Sequence, residues 1–148
     1  MMKLVDGEDT IAIVVGAQAG PGHSDREVAA RLQQEIDARG AGWPYRRAVV
    51  VTDAAWLGSR LLHQSPTIAV GGPGANEVSG RFAAELATVW TDADRVVIQA
   101  ELEDGQRRAT LWGIDRHATV EAVDAFIARG WLDEFLGRCW RFRSESLA

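Results

Sequence analysis

The stretch 10–15, Thr-Ile-Ala-Ile-Val-Val, is apolar and β-branched without a break in pattern. That composition predicts a strand covered on both faces, as in a parallel sheet. A glycine-rich loop follows over 16–22. Ser24 and Glu27 then form the pattern of a capping box, in which hydroxyl and carboxylate each satisfy a free backbone N–H. Val28, Leu32, Glu35 and Ile36 continue at helical spacing until Gly40 ends the helix. The first unit therefore reads strand, glycine loop, helix.

Trp43-Pro44 marks a turn, and residues 47–52, centred on Ala48-Val49-Val50-Val51, read as a second strand. Asp53 is placed to cap a short helix reaching about Leu62, with Trp56, Leu57, Leu61 and Leu62 on its apolar side. Residues 67–70 after Pro66 predict a third strand, which runs into Gly71-Gly72-Pro73-Gly74. A helix over about 76–87 follows, with Val78, Phe82 and Leu86 repeating every four residues.

Beyond residue 95 the period changes to two. Val96, Ile98, Ala100 and Leu102 alternate with Val97, Gln99, Glu101 and Glu103. Asp104-Gly105 is a strong signal for a two-residue hairpin turn, because such turns need positive φ at their central positions. The implied register sets Glu101 against Arg108, Ile98 against Leu111, and Val97 against Trp112. Opposite charges meet, and apolar side chains meet apolar ones. A helix starting at Asp115 or His117 and ending near Arg129 carries Val120, Val123, Phe126 and Ile127. Gly130 separates it from a last helix over 131–139, with Leu132, Phe135 and Leu136 apolar. The pattern predicts one α/β domain over 1–148 with a loose tail at 143–148. Its architecture is a three-layer, Rossmann-like domain with a mixed, mostly parallel sheet of about five strands including one β-hairpin.

Composition narrows the function classes. The net charge of −5 gives no general attraction to nucleic acid, and the basic residues Arg46, Arg47, Arg107, Arg108, Arg138, Arg141 and Arg143 are dispersed among acids. A nucleic-acid partner is not expected. A single cysteine, Cys139, rules out an intrachain disulfide and sits in a helix beside Trp140, where packing suits it better than reactivity. Asp6, Glu8 and Asp9 stand where a signal peptide needs positive charge, and no run approaches the roughly 18 apolar residues of a membrane span. The expectation is a cytoplasmic protein without a membrane partner.

Ligands in open α/β sheets bind outside the carboxyl ends of the strands. Four loops should meet there if the hairpin returns its second strand to the parallel direction. The candidate ligand-binding residues are Gly16, Gln18, Gly22 and Ser24, then Asp53, then Gly71, Gly72 and Asn76, and finally Asp115, Arg116 and His117. Glycines let backbone N–H groups approach a ligand, and helix starts favour anions. Each candidate has a structural alternative: the glycines as tight turns, Asn76 and Asp115 as helix caps, Arg116 as half of an internal ion pair. The functional reading makes Arg116 an anion clamp with Asp115 or His117 as a polar or acid–base partner. His23 and Asp25 open another helix on the same edge, and His63 reads as a surface residue. The glycines match neither a P-loop nor a dinucleotide fingerprint, and no nucleophile elbow occurs. Three histidines and one cysteine show no metal-ligand spacing, so no metal site is assigned and the cofactor is unknown.

The segment from Ile68 to about Phe126 carries a further pattern. It reads Ile-Ala-Val-Gly71-Gly72-Pro73-Gly-Ala-Asn76, a helix, a hairpin, and then Gly113-Ile-Asp115-Arg116-His-Ala118-Thr119-Val-Glu-Ala122-Val. This resembles the bacterial cell-wall-binding repeats of the second type and similar segments of archaeal surface-layer proteins. The Gly-x-Asp-Arg-x-Ala-Thr part is the more specific. The resemblance implies an α/β module used in tandem to hold anionic envelope polymers. This chain departs from it in having one copy, an inserted acidic hairpin and no recognisable export signal.

Three functional readings follow. The first is a noncatalytic binding protein for a small anionic or polar ligand at the carboxyl edge. The second is an enzyme acting on a nucleotide-like or sugar-phosphate-like ligand, with Asp115 or His117 as acid–base residue. The third is an interaction or scaffold protein. In that case a hairpin face carrying Val97 and Trp112, left uncovered, would support a homodimer.

Overall fold

Strand β1 (Ile11–Val15) is buried along its whole length, because its side chains feed two separate cores. Ile11, Ile13 and Val15 point into one, and Ala12 and Val14 into the other. The protein's structure, a computed structural model, describes residues 9–17, 24–101 and 107–140, with the backbone alone at Ser24. The expectations for Gln18, Gly22, His23, the Ser24 side chain, the Asp104-Gly105 turn and the tail 143–148 lie outside the described residues.

After β1 come α1 (Ser24–Arg39), β2 (Ala48–Thr52), α2 (Asp53–Leu57), α3 (Arg60–His63), β3 (Thr67–Val70) and α4 (Glu77–Glu85). The chain continues through β4 (Thr88–Asp92), β5 (Val96–Glu101), β6 (Arg108–Gly113), α5 (Arg116–Ala128) and α6 (Trp131–Cys139). The fold is mixed α/β around one six-stranded sheet, in the order β2-β1-β3-β6-β5-β4. The pairs β1–β2, β1–β3 and β3–β6 are parallel, whereas β4–β5 and β5–β6 are antiparallel. Among the described residues the sheet thus has six strands rather than five, and it is mixed rather than mostly parallel. Helices cover both faces. Residues of α1, α5 and α6 pack in the core that contains Ile11 and Phe126, and residues of α2 and α4 in the core that contains Val14 and Phe82.

The unexpected strand is β4. Its sequence, Thr-Val-Trp-Thr-Asp, has strand-like residues, but the turn joining it to β5 is made of Ala93 and Asp94. Both have positive φ, 55° and 58°, without a glycine, and Arg95 N–H closes the turn on Asp92 O at 3.0 Å. A non-glycine residue in the left-handed region costs about 1 kcal/mol. Ala93→Asn is therefore expected to raise stability by about 1 kcal/mol, because asparagine tolerates this conformation. Urea unfolding of the variant checks this; a lowered midpoint would show that the turn does not need positive φ at Ala93.

The second hairpin has the register expected from charge and hydrophobicity. Glu101 pairs with Arg108, Ile98 with Leu111 and Val97 with Trp112. Arg108 bonds Glu101 at 3.1 Å and Glu85 at 2.5 Å. The face carrying Val97 and Trp112 is better covered than the homodimer reading requires. Val97 is buried, and Trp112 donates its Nε1–H to Gln99 Oε1 at 3.0 Å. The sheet edges are also obstructed. At the outer strand β2, Ala48 donates its N–H to Asp37 and accepts from Gln33, both from α1. At the opposite edge β4 carries a register shift between Thr88 and Trp90. Such features discourage edge-to-edge pairing.

One helix differs from its expected form. The helix after β2 breaks into α2 and α3, each with its own cap, Thr52 and Ser59. Thr52, not Asp53, caps α2 with its side chain. His63 is half-buried rather than on the surface, its ring 4.1 Å from that of Trp56 and its Nε2 2.8 Å from Trp56 O. Among the described residues, no helix is long and apolar enough to cross a membrane.

Candidate functional site

Because β1, β2, β3 and β6 are parallel, their carboxyl ends open on one edge of the sheet. Strand order reverses between β1 and β3, where an open α/β sheet offers its crevice. Here the chain fills that crevice itself. Asn76, 1% exposed, donates its Nδ2–H groups to Val14 O at 3.0 Å and Val70 O at 3.1 Å, joining the ends of β1 and β3. Its Oδ1 accepts from Val78 N and Ser79 N, capping α4. All four bonding positions of the side-chain amide are thereby used. Gly16 belongs to the same closure. A Cβ there would lie 1.9 Å from Ala75 O, so glycine is required by packing.

Asp53 fastens the neighbouring loops. Its Oδ1 accepts from Ala17 N at 2.9 Å and Ala54 N at 2.8 Å, and its Oδ2 from Glu77 N at 2.9 Å. Burial pushes the carboxyl upward, but the N–H groups of Glu77, Ala17 and Ala54 together outweigh it and hold it below its ordinary value. Asp53 is an ionised structural clasp.

Among the described residues, two depressions border loop 72–75. The larger, about 410 Å³, is lined by Ala17, Asp53, Pro73 and Glu77 among others. Its lining has the carboxylates of Asp53 and Glu77 and no cationic side chain, so it does not suit an anion. The smaller, about 190 Å³, lies where β3 and β6 end. Its walls are Gly72, Ala75, Gly113 and Ile114, with Arg116, Asp115 and Thr119 from the start of α5 and Asp25 from the start of α1. Ile114 is 66% exposed at this site.

Most backbone donors of the edge are already engaged, which corrects the expectation that they would cradle an anion. Gly71 N bonds Leu111 O, Ala75 N and Asn76 N bond Gly72 O, and Ile114 N bonds Arg95 O. Gly113 N bonds Thr119 Oγ1 at 3.2 Å. Asp115 caps α5 by accepting from Ala118 N at 2.8 Å. Asp115 and Thr119 thus close their own loop. Arg116 does not take part: it is exposed and, among the described residues, makes no ion pair. His117 is exposed and lines neither depression, so the structure does not assemble an Asp115–His117 acid–base pair around a ligand.

The remaining glycines separate by cause. Gly71 has φ +113°, and a Cβ there would meet Asp25 Oδ2 at 2.7 Å. Gly113 would drive a Cβ to 2.2 Å from Ala118 Cβ. At Gly72, by contrast, a Cβ would find only Gly113 O at 3.8 Å, an ordinary contact. Packing does not demand glycine there, and the space it leaves belongs to the smaller pocket. Asp25, 6% exposed, is read from the sequence only as opening a helix on this edge. A carboxylate in the first turn of a helix normally faces water, and only the fold brings it under Gly71.

Burial pushes the Cys139 thiol up to about 12, so it is inert at neutral pH. Among the described residues, no group of three or more His, Cys, Asp or Glu side chains could hold a metal ion. No protein-family model matches the chain, and a search of curated proteins finds no match. The resemblance of residues 68–126 to cell-wall-binding repeats therefore rests on its motif alone.

Proposed function

We propose that this protein binds a small anionic ligand without catalysis, in the pocket between Gly72, Gly113 and the start of α5, with Arg116 as its charged contact. The observation that carries this reading is the Arg116 guanidinium, which makes no ion pair among the described residues, beside a pocket whose Gly72 is not demanded by packing. A guanidinium offers a fork of donors matched to carboxylate or phosphate. The start of α5 adds a favourable dipole. The pocket's volume is below the roughly 300 Å³ at which drug-sized sites begin, which fits a small molecule or a single head group. Catalysis finds less support, because Asp115 is committed to its cap and His117 stands outside the pocket. The resemblance to modules that hold anionic polymers agrees with this polarity, and a Rossmann-like description agrees with the position of the site.

A thermal-shift screen with inorganic phosphate, sugar phosphates, nucleoside monophosphates and amino acids tests the reading. A ligand at 100 times its Kd should stabilise the fold by about 2.7 kcal/mol. Arg116→Ala should abolish that shift while leaving the unliganded Tm nearly unchanged, since the side chain is exposed and makes no ion pair among the described residues. Gly72→Ala should likewise fold normally and bind weakly. A shift that persists in Arg116→Ala would overturn the proposal.

A further inference from the structure

We infer that the ligand of this pocket is a compact monocarboxylate with an aliphatic end, and that Ile114 receives that end. The inference rests on the reading of the pocket given above and deepens it. Ile114 is the most exposed large apolar residue among the described ones, and it stands in the same wall as Arg116. The chain holds it there. Ile114 N bonds Arg95 O at 3.0 Å. On either side, Gly113 N bonds Thr119 Oγ1 at 3.2 Å and Asp115 accepts from Ala118 N at 2.8 Å. Arg95 is itself tied to α5 by two bonds to Glu121, at 2.6 and 3.1 Å.

A single exposed apolar side chain is ordinary on a protein surface. This one shares a concave space of about 190 Å³ with a guanidinium and with the room that Gly72 leaves. A ligand that covers it gains free energy in proportion to the apolar area removed from water. Charge sets the other end of the ligand. Arg116 is the one cationic side chain of the lining, and the carboxylate of the adjacent Asp115 is fixed in the same wall by its cap on α5. Asp25, the other carboxyl group there, lies beneath Gly71 and has a partner within the protein. A carboxylate matches the guanidinium fork with a single charge. A second negative charge would find no further cation in the lining and would face Asp115. Inorganic phosphate, more highly charged and without an apolar end, should occupy the same place more weakly.

Three carboxylates test this by NMR titration of the full chain at neutral pH: acetate, isovalerate and methylsuccinate. Isovalerate adds an isopropyl group to acetate, and methylsuccinate replaces one methyl of isovalerate by a second carboxylate. The wild type should bind isovalerate about ten-fold more tightly than acetate, and methylsuccinate no more tightly than acetate. Ile114→Ser should bring the ratio of isovalerate to acetate affinity down to about one, and Arg116→Ala should abolish binding of all three. The wild-type ratios need no variant, so the test survives a variant chain that fails to fold. Equal wild-type affinities for isovalerate and acetate, both lost in Arg116→Ala, would overturn the role of Ile114 and leave the anion pocket standing. A preference for isovalerate retained in Ile114→Ser would likewise overturn it. Methylsuccinate binding more tightly than acetate would overturn the single-charge requirement. Absence of binding by all three, or indifference to Arg116→Ala, would overturn the anion pocket and this inference with it.

Discussion

Asn76→Ala is expected to destabilise the protein by about 4 kcal/mol, among the largest losses available to a single polar side chain here. The amide joins β1 to β3 through Val14 O and Val70 O and caps α4 through Val78 N and Ser79 N. Alanine removes these four buried hydrogen bonds at once, at about 1 kcal/mol each. Asn76→Asp separates the two roles. One carboxylate oxygen can still cap α4, but the other would face two carbonyl oxygens and could be tolerated only when protonated. The aspartate's folded titration would thus be raised. Its relative stability should be best below the ordinary carboxylate range and worsen as pH rises through the raised value. Urea unfolding between pH 3 and 7 reads both effects. A mild Asn76→Ala, or an Asn76→Asp insensitive to pH, would contradict the bridging role.

Asp53→Asn is expected to cost about 3 kcal/mol at neutral pH. Three N–H groups converge on the carboxylate, from Ala17 after β1, Ala54 in α2 and Glu77 at the start of α4. An amide keeps one acceptor oxygen and presents its own N–H groups to the remaining donors. Because the folded carboxyl is held below its ordinary value, its stabilisation is fully present above that ordinary value. It is lost as pH falls through the depressed one. The gap between wild type and Asp53→Asn should therefore be constant near neutrality and narrow below about pH 4. A gap that stays constant through the acid range would show that the charge on Asp53 contributes nothing.

These two residues also mark how far the sequence could be read. Both were placed correctly at the carboxyl edge, because the strands before them are continuous apolar runs and the glycines after them punctuate clearly. Their roles were not equally legible. A helix cap is local, so Asn76 and Asp115 could be read from their positions before α4 and α5. The bonds from Asp53 to Ala17 and Glu77 cross 36 and 24 residues of sequence, and no local pattern encodes them. The β5–β6 register was readable because charge and hydrophobicity agree at Glu101–Arg108 and Ile98–Leu111. Strand β4 was not, because its turn uses Ala93 and Asp94 where a glycine or asparagine signal is the rule. Glycine composition was the least informative guide. Gly16, Gly71, Gly72 and Gly113 look alike in sequence, yet three are explained by their neighbours and one by the space it leaves.

Binding of a small anion beside Arg116 is tested most directly by an NMR titration of the ¹⁵N-labelled chain with inorganic phosphate. The amide signals of Gly72, Gly113 and residues 114–119 should shift progressively and saturate, and in Arg116→Ala they should stay in place. Saturating shifts confined to residues away from this pocket, or a spectrum unchanged by the ligand, would contradict the assignment of the site.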